Sequence, residues 1–201
     1  LRAPPAFVVP PGPATDLQRK EANVKAFPLA GLLLLGCAQV LASQTCDTHS
    51  YPMSTPTERF ADNGDGTITD TQSGLMWMRC ALGQTWTGSS CRGDPSALTW
   101  MSAQDAAKSL NTGGGYASHA DWRMPHIPEL AMIIERQCDN PRVNLKLFPD
   151  TPASWFWTAT GRRGKGQDGQ AYRLSFGPEG AGPEAKNDLH FARLVRNTKA
   201  P

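Results

Sequence analysis

Residues 121–130 read Asp121-Trp122-Arg123-Met124-Pro125-His126-Ile127-Pro128-Glu129-Leu130. This stretch places a strand end, a proline corner and a helix start within ten positions. Trp122 and Met124 alternate with Arg123, as in a short strand with one buried face. Pro125 offers no backbone N–H and ends that strand. Pro128 falls where a first helical turn tolerates proline, and Glu129 follows where negative charge is favoured. Leu130, Ile133 and Ile134 supply an apolar stripe for the helix beyond. The unit orients a domain and carries no chemistry of its own.

Working outward, short strands surround this corner. Arg59-Phe60-Ala61 and Thr67-Ile68-Thr69-Asp70 flank Asn63-Gly64-Asp65-Gly66, whose Asn-Gly and Asp-Gly pairs tolerate positive φ and predict a hairpin. A calcium loop starting at Asp62 is a poor alternative, because its alternate ligand positions fall on Gly64 and Gly66. Residues 74–78, 154–160, 171–176 and 191–196 complete the strand set, all rich in aromatic or β-branched residues or cleanly alternating. Thr99 can cap a helix over 100–110, with Ala103, Ala107 and Leu110 on one face, and Asn111 to Gly115 end it. Strands on either side of two central helices predict an α+β domain with mainly antiparallel pairing, stabilised by disulfides.

The N-terminal part has a different character. Residues 26–42 form an apolar run behind Arg19, Lys20 and Lys25, and Val40-Leu41-Ala42 fits a small-residue cleavage site. The run is short of the roughly 20 apolar residues of a membrane span. Residues 24–42 are therefore predicted to be a cleaved signal peptide, with no span left after cleavage. Residues 1–23 are predicted to be an over-extended gene start, translation beginning at Val24. Leu34-Leu35-Gly36-Cys37 is a loose lipobox with an ill-fitting Leu35, so a lipoprotein is the less favoured form. An exported protein follows, whether periplasmic, secreted or at the cell surface, with residues 43–57 as an extended lead and 58–197 as the domain.

Charge and cysteines agree with that reading. Residues 1–42 contain Arg2, Arg19, Lys20, Lys25, Asp16 and Glu21, so 20 basic and 18 acidic residues become 16 and 16 over 43–201. A neutral chain gives no ground for general nucleic-acid affinity. Cys46, Cys80, Cys91 and Cys138 remain, an even set that in an exported chain reads as disulfides. Of three pairings, Cys80–Cys91 with Cys46–Cys138 is favoured. The first closes a short Gly/Ser/Thr-rich loop and the second ties the lead to the end of the second helix. A crosslink of this sort stabilises by roughly 3 kcal/mol. No Cys-x-x-Cys pair occurs and the four histidines are scattered, so neither a metal nor another cofactor is expected.

The succession Arg59-Phe60, Asn63-Gly64-Asp65-Gly66-Thr67, Asp70, Gly74-Leu75-Met76-Trp77, Thr99-Trp100, Gly114-Gly115-Tyr116, Asp121 to Pro125, Glu129-Leu130, Phe148-Pro149, Trp155-Phe156-Trp157 and Val195-Arg196 resembles the Lcl C-terminal domain family. The family takes its name from the C-terminal domain of a bacterial collagen-like adhesin. The resemblance covers residues 58–197 and extends, more distantly, to C-type-lectin-like folds, including the formylglycine-generating and sulfatase-modifying group. It implies a C-type-lectin-like binding domain rather than an enzyme, and sulfated polysaccharides as the adhesin's ligands. The collagen-like stalk is absent, as are the Glu-Pro-Asn, Gln-Pro-Asp and Trp-Asn-Asp triplets of calcium-dependent lectins. Residues 161–190 hold only Asn187 and Tyr172 of the residue types that diversified relatives accumulate there. His126 stands where relatives usually carry a better helix cap.

The candidate binding residues are basic. Gly161-Arg162-Arg163-Gly164-Lys165-Gly166 spaces three cations with glycines between two strands, and arginine forks match sulfate and carboxylate oxygens. Arg173 and Lys186 are expected nearby, making a site for a polyanionic glycan. Trp86, inside the short disulfide loop, either stacks on a sugar or anchors that loop, with anchoring favoured. The other five tryptophans are read mostly as packing. His119, His126, His190, Asp121 and Glu129 could serve acid–base chemistry, but they form no motif, no serine sits in a nucleophile elbow, and the formylglycine-generating cysteines have no counterpart. A non-catalytic glycan binder acting in surface adhesion is thus the first reading, and an envelope component with a protein partner the second.

Overall fold

The computed structural model describes residues 43–198. The predicted gene-start extension 1–23, the signal segment 24–42 and Cys37 lie outside the described residues. Eleven strands and two α-helices are described, and every strand pair is antiparallel.

A first sheet carries the predicted hairpin. β2 (Phe60–Asp62), β3 (Thr67–Asp70) and β4 (Leu75–Met78) follow in order, and the C-terminal β11 (Val195–Asn197) adds to β4. The β2–β3 turn is set by its side chains. Asp62 Oδ1 accepts from the Gly64 N–H and Asp65 Oδ1 from the Thr67 N–H. Gly66 has φ +88°, and a Cβ there would stand 2.1 Å from the Tyr116 hydroxyl and 2.8 Å from Trp86. Its place in the turn is therefore fixed by conformation and by space. Ile68 pairs with Trp77, and Trp77 with Val195, which buries all three.

A second sheet orders β10 (Ala181–Ala185), β9 (Gln170–Ser175) and β8 (Trp155–Gly161). Trp155 to Trp157 pair with Ser175 to Arg173, and after an irregularity Gly161 pairs with Ala171. β10 has no strand signature in the sequence. Its Ala-Gly-Pro-Glu-Ala is recruited by β9, and Pro183 is tolerated because the strand lies at the sheet edge.

The helices are unequal. α1 (Trp100–Thr112) starts where Thr99 Oγ1 accepts from the Ser102 N–H, and it lays Ala103 and Ala107 into a cluster with Trp122, Met124, Trp157 and Ala192. α2 (Ile127–Ala131) is a single turn, shorter than the stripe through Ile134 predicts. Ile133 still enters the core, but Ile134 bridges to Val143 instead of continuing the helix. The predicted strand over 191–196 is likewise shorter. Phe191 bridges to Phe156, and regular pairing begins at Val195.

Between the elements sits Arg193, fully buried and without an acidic partner. Its guanidinium donates to the carbonyls of Met78 and Arg79 and to Thr151 Oγ1, and lies 4.8 Å from the Phe148 ring centroid. Desolvation pushes its pKa down to about 9, which leaves it charged at neutral pH.

The lead is more than a spacer. β1 (Thr45–Cys46) pairs with β7 (Cys138–Asp139), and the Cys46–Cys138 disulfide crosses that pair. Cys80–Cys91 closes the other loop, where β5 (Thr85–Trp86) pairs with β6 (Cys91–Arg92). Glu135, 1% exposed, accepts hydrogen bonds from the backbone N–H and hydroxyl of both Ser54 and Thr55, and from the Gln137 N–H. Burial alone raises its pKa. The Thr55 hydroxyl and the backbone donors outweigh that and hold it below the ordinary glutamate value of 4.5. No helix among the described residues is long and apolar enough to cross a membrane.

Two outcomes follow. A native carboxyl with a lowered pKa contributes stability that is complete above 4.5 and is lost as pH falls through its native value. Glu135→Gln should cost about 2–3 kcal/mol at pH 7 by urea unfolding, and the gap to wild type should narrow in acid. A gap that stays constant would remove Glu135 from this role. The disulfides differ in the loops they close, with sequence separations of 92 and 11 residues. Paired Cys→Ser replacement of Cys46–Cys138 should cost about 4–5 kcal/mol and of Cys80–Cys91 about 3 kcal/mol, a ranking read from urea midpoints.

Candidate functional site

The basic loop spans residues 162–169, between β8 and β9, as its sequence predicts. It is tied at both ends. The Arg162 N–H donates to the Gln170 carbonyl, and the Arg162 guanidinium donates to Gln170 Oε1 at 2.6 Å. The Gln167 N–H closes back on the Gly164 carbonyl. Arg163 and Lys165 are exposed.

Lys186 joins the loop from the other side. It follows β10, and the pairing of Ala185 with Gln170 carries it to the loop. Its N–H donates to Gly169, its carbonyl accepts from the Trp100 N–H at the start of α1, and its ammonium donates to the Asp168 carbonyl at 2.6 Å. The same ammonium stands 4.4 Å from the Trp100 ring centroid. Arg162, Arg163 and Lys186 thereby line one open groove of about 580 Å³ with Asp168, Thr160, Ala159 and His126. Three cations face one carboxylate there, and none of the three makes an ion pair among the described residues.

The remaining predicted residues stand elsewhere. Lys165 is on the same loop but does not line the groove. Arg173 pairs with Glu184 on the neighbouring strand and stacks 3.8 Å from the Trp155 ring centroid. Trp86 is half-buried, with the Arg79 guanidinium 4.5 Å from its ring centroid. Arg79 itself donates to Asp62, Leu147 and Lys146, so Trp86 anchors its loop on a fixed cation. Trp77, Trp122 and Trp157 are buried core, whereas Trp100 and Trp155 carry stacked cations.

Of the residues considered for acid–base chemistry, Glu129, Asp121 and His190 are held by structural contacts. Glu129 accepts from the Arg123 guanidinium at 2.7 and 2.8 Å and from the His126 N–H at 2.6 Å. Asp121 accepts from Arg196 at 2.6 Å, and this hydrogen bond holds its pKa below the ordinary aspartate range. His190 packs 4.7 Å from the Trp157 ring centroid. Burial, and after it the Arg173 charge, lower its pKa, so it is neutral at pH 7. No cluster of three or more His, Cys, Asp or Glu that could hold a metal occurs among the described residues. A separate hollow of about 470 Å³ lies over Thr69–Leu75, Asn197 and Thr198. Its one titratable group, Asp70, is occupied by Arg59, Ser73 and the Gln72 N–H.

Residues 66–196 match the model of the Lcl C-terminal domain. The chain belongs to the Lcl C-terminal domain family. Membership marks it as an adhesin-type domain, of a family not known for enzymatic activity. No curated protein matches the chain. The match begins at Gly66, the last residue of the β2–β3 turn. The lead that Glu135 and Cys138 hold thus lies outside the matched part of this Lcl C-terminal domain, while the whole basic loop lies inside it. The two disulfides are consistent with an exported protein.

Sequence reading finds Arg162, Arg163 and Lys186 through their charge. It misses His126, Ala159 and Asp168 as groove neighbours, since no spacing along the chain joins the proline corner to the end of β8. The electrostatics around His190 can be checked directly. Arg173→Met should raise the His190 pKa by removing a nearby like charge, and Glu184→Gln should lower it further. Both are read from the imidazole proton shifts in an NMR titration; a shift in the opposite sense for either would refute the arrangement.

Proposed function

We propose that this Lcl C-terminal domain is an exported, non-catalytic module that binds polyanionic glycans, sulfated polysaccharides among them, in the groove of Arg162, Arg163 and Lys186. The carrying observation is the convergence of three cations without carboxylate partners on one open groove, in a part of the chain with no net charge. Other arginines around the domain, Arg59, Arg79, Arg123, Arg173 and Arg196, each have a carboxylate within ion-pair distance. A sulfate in the groove would meet guanidinium forks with donors to spare. Lys165 adds to the attracting field from the loop tip, and Arg173, paired with Glu184, stacks on Trp155 within the second sheet. The strand-flanked helices and loop-borne site are in keeping with a C-type-lectin-like arrangement. Surface adhesion is the biological role this reading implies.

A second reading, an envelope component that binds a protein partner, draws on the exposed Tyr51 and Met53 of the lead, 57% and 49% accessible. It does not use the groove.

Arg162→Ala with Arg163→Ala separates the two. The double variant should elute from immobilised heparin at clearly lower salt than wild type, with a shallower salt dependence. Its urea midpoint should stay unchanged, because among the described residues the one hydrogen bond removed from either side chain is that of Arg162 to Gln170. Equal elution of the two proteins would move binding away from the loop.

A further inference from the structure

A smaller, mostly apolar recess of about 200 Å³ adjoins the cationic groove. Gln104, Ala107 and Lys108 of α1 form one wall, three and four residues apart and so on one helical face. Met124 of the proline corner and Ala159 of β8 face them. His126 and Ala159 line both hollows, so the recess opens into the groove rather than onto a separate surface. Its volume is that of roughly seven liquid waters. A short acyl group fits that space, and a long chain or a helix face does not.

The recess is ill suited to a second sulfate. Arg123, on its rim, is consumed by Glu129 and by Asn197 Oδ1 at 2.9 Å. The surface that the recess presents is mostly apolar, with Ala107, Trp122, Met124 and Ala159 in its lining. Its other cation, Lys108, is largely exposed and lies 3.4 Å from Asp105, so an anion there would lose its hydration for little counter-charge. Gln104 is different, for its half-buried side-chain amide makes no hydrogen bond among the described residues. It offers one acceptor and two donors at the mouth. An acetamide answers both features, with a methyl group for the floor and an amide for Gln104.

Building on the proposed glycan reading, we infer that the recess receives the N-acetyl group of a hexosamine next to the anionic sugar held by Arg162, Arg163 and Lys186. The ligand is then an N-acetylated anionic glycan, and charge density alone does not set its affinity. The groove holds the anion and the recess selects the neighbouring residue.

The test uses heparin that has been N-desulfated and then re-acylated with either acetyl or formyl groups, giving chains of equal charge that differ by one methyl per hexosamine. Dextran sulfate serves as an anion without an acyl group. Wild-type protein should bind the N-acetyl chain about four-fold more tightly than the N-formyl chain, the ratio expected for one buried methyl. Gln104→Trp should abolish that ratio by filling the recess while keeping dextran sulfate binding, since Gln104 does not line the groove. Gln104→Phe fills it with a smaller ring, so a failure of the first variant to fold leaves the second to decide. Equal wild-type affinity for acetyl and formyl chains overturns the recess assignment and leaves the polyanion reading standing. Absence of binding to all three polymers overturns both.

Discussion

The domain depends on the backbone of residues 122–127, which is hydrogen-bonded to three different elements at once. Arg123 exchanges both of its backbone hydrogen bonds with Val195 and so joins the first sheet. The Pro125 carbonyl accepts from the Ala159 N–H, and the Ile127 N–H donates to Thr160 Oγ1, which joins the second. Asn111, near the end of α1, clamps Trp122 through both its N–H and its carbonyl. A proline at 125 suits this position because the segment must turn there and no N–H is wanted. Both hollows of the candidate site are built against this segment, so their geometry is inherited from it.

Charge is handled in layers across the domain. Deep in the core, Arg193 is held by carbonyl oxygens, a hydroxyl and an aromatic face, because no carboxylate reaches it. One layer out, Arg59, Arg79 and Arg173 each combine an ion pair with an aromatic face. Among the described residues, Arg162 and Arg163 of the loop after β8 have neither partner, as do the exposed Arg92 and Arg136 elsewhere. What sets the loop apart is that its two arginines share one groove with Lys186.

Much of this was legible along the chain. The Asn-Gly-Asp-Gly turn, the aromatic run of β8, the Thr99 cap and the small Ala103–Ala107 face all have local signals, and each is where it was expected. The favoured disulfide pairing rested on the short Gly/Ser/Thr-rich loop between Cys80 and Cys91 and on the place of Cys138 after the second helix. Elements whose state is imposed from outside were not legible. β10 is a strand because β9 offers it a register, and beyond the end of α2 Ile134 bridges to Val143 instead of extending the helix. At the site, charge marked Arg162 and Arg163. Whether Arg173 was free could not be read, since its pairing with Glu184 depends on the register of β9 and β10. Ala159 and His126 carry no signal at all for their shared place.

The Cys46–Cys138 bridge gives the domain a mechanical character as well as a thermodynamic one. A pull on the chain ahead of Cys46 passes through sulfur to Cys138, so residues 47–137 form a covalent loop out of series with the load. The β2–β3–β4 hairpins and α1 therefore cannot be unravelled by tension from that side. The shortest covalent load path from Cys46 to the groove leads instead through Cys138, along the chain towards β8 and the loop of Arg162 and Arg163. In a molecule that grips a ligand at one end while held at the other, that path is short, and most of the hydrophobic core lies beside it rather than along it.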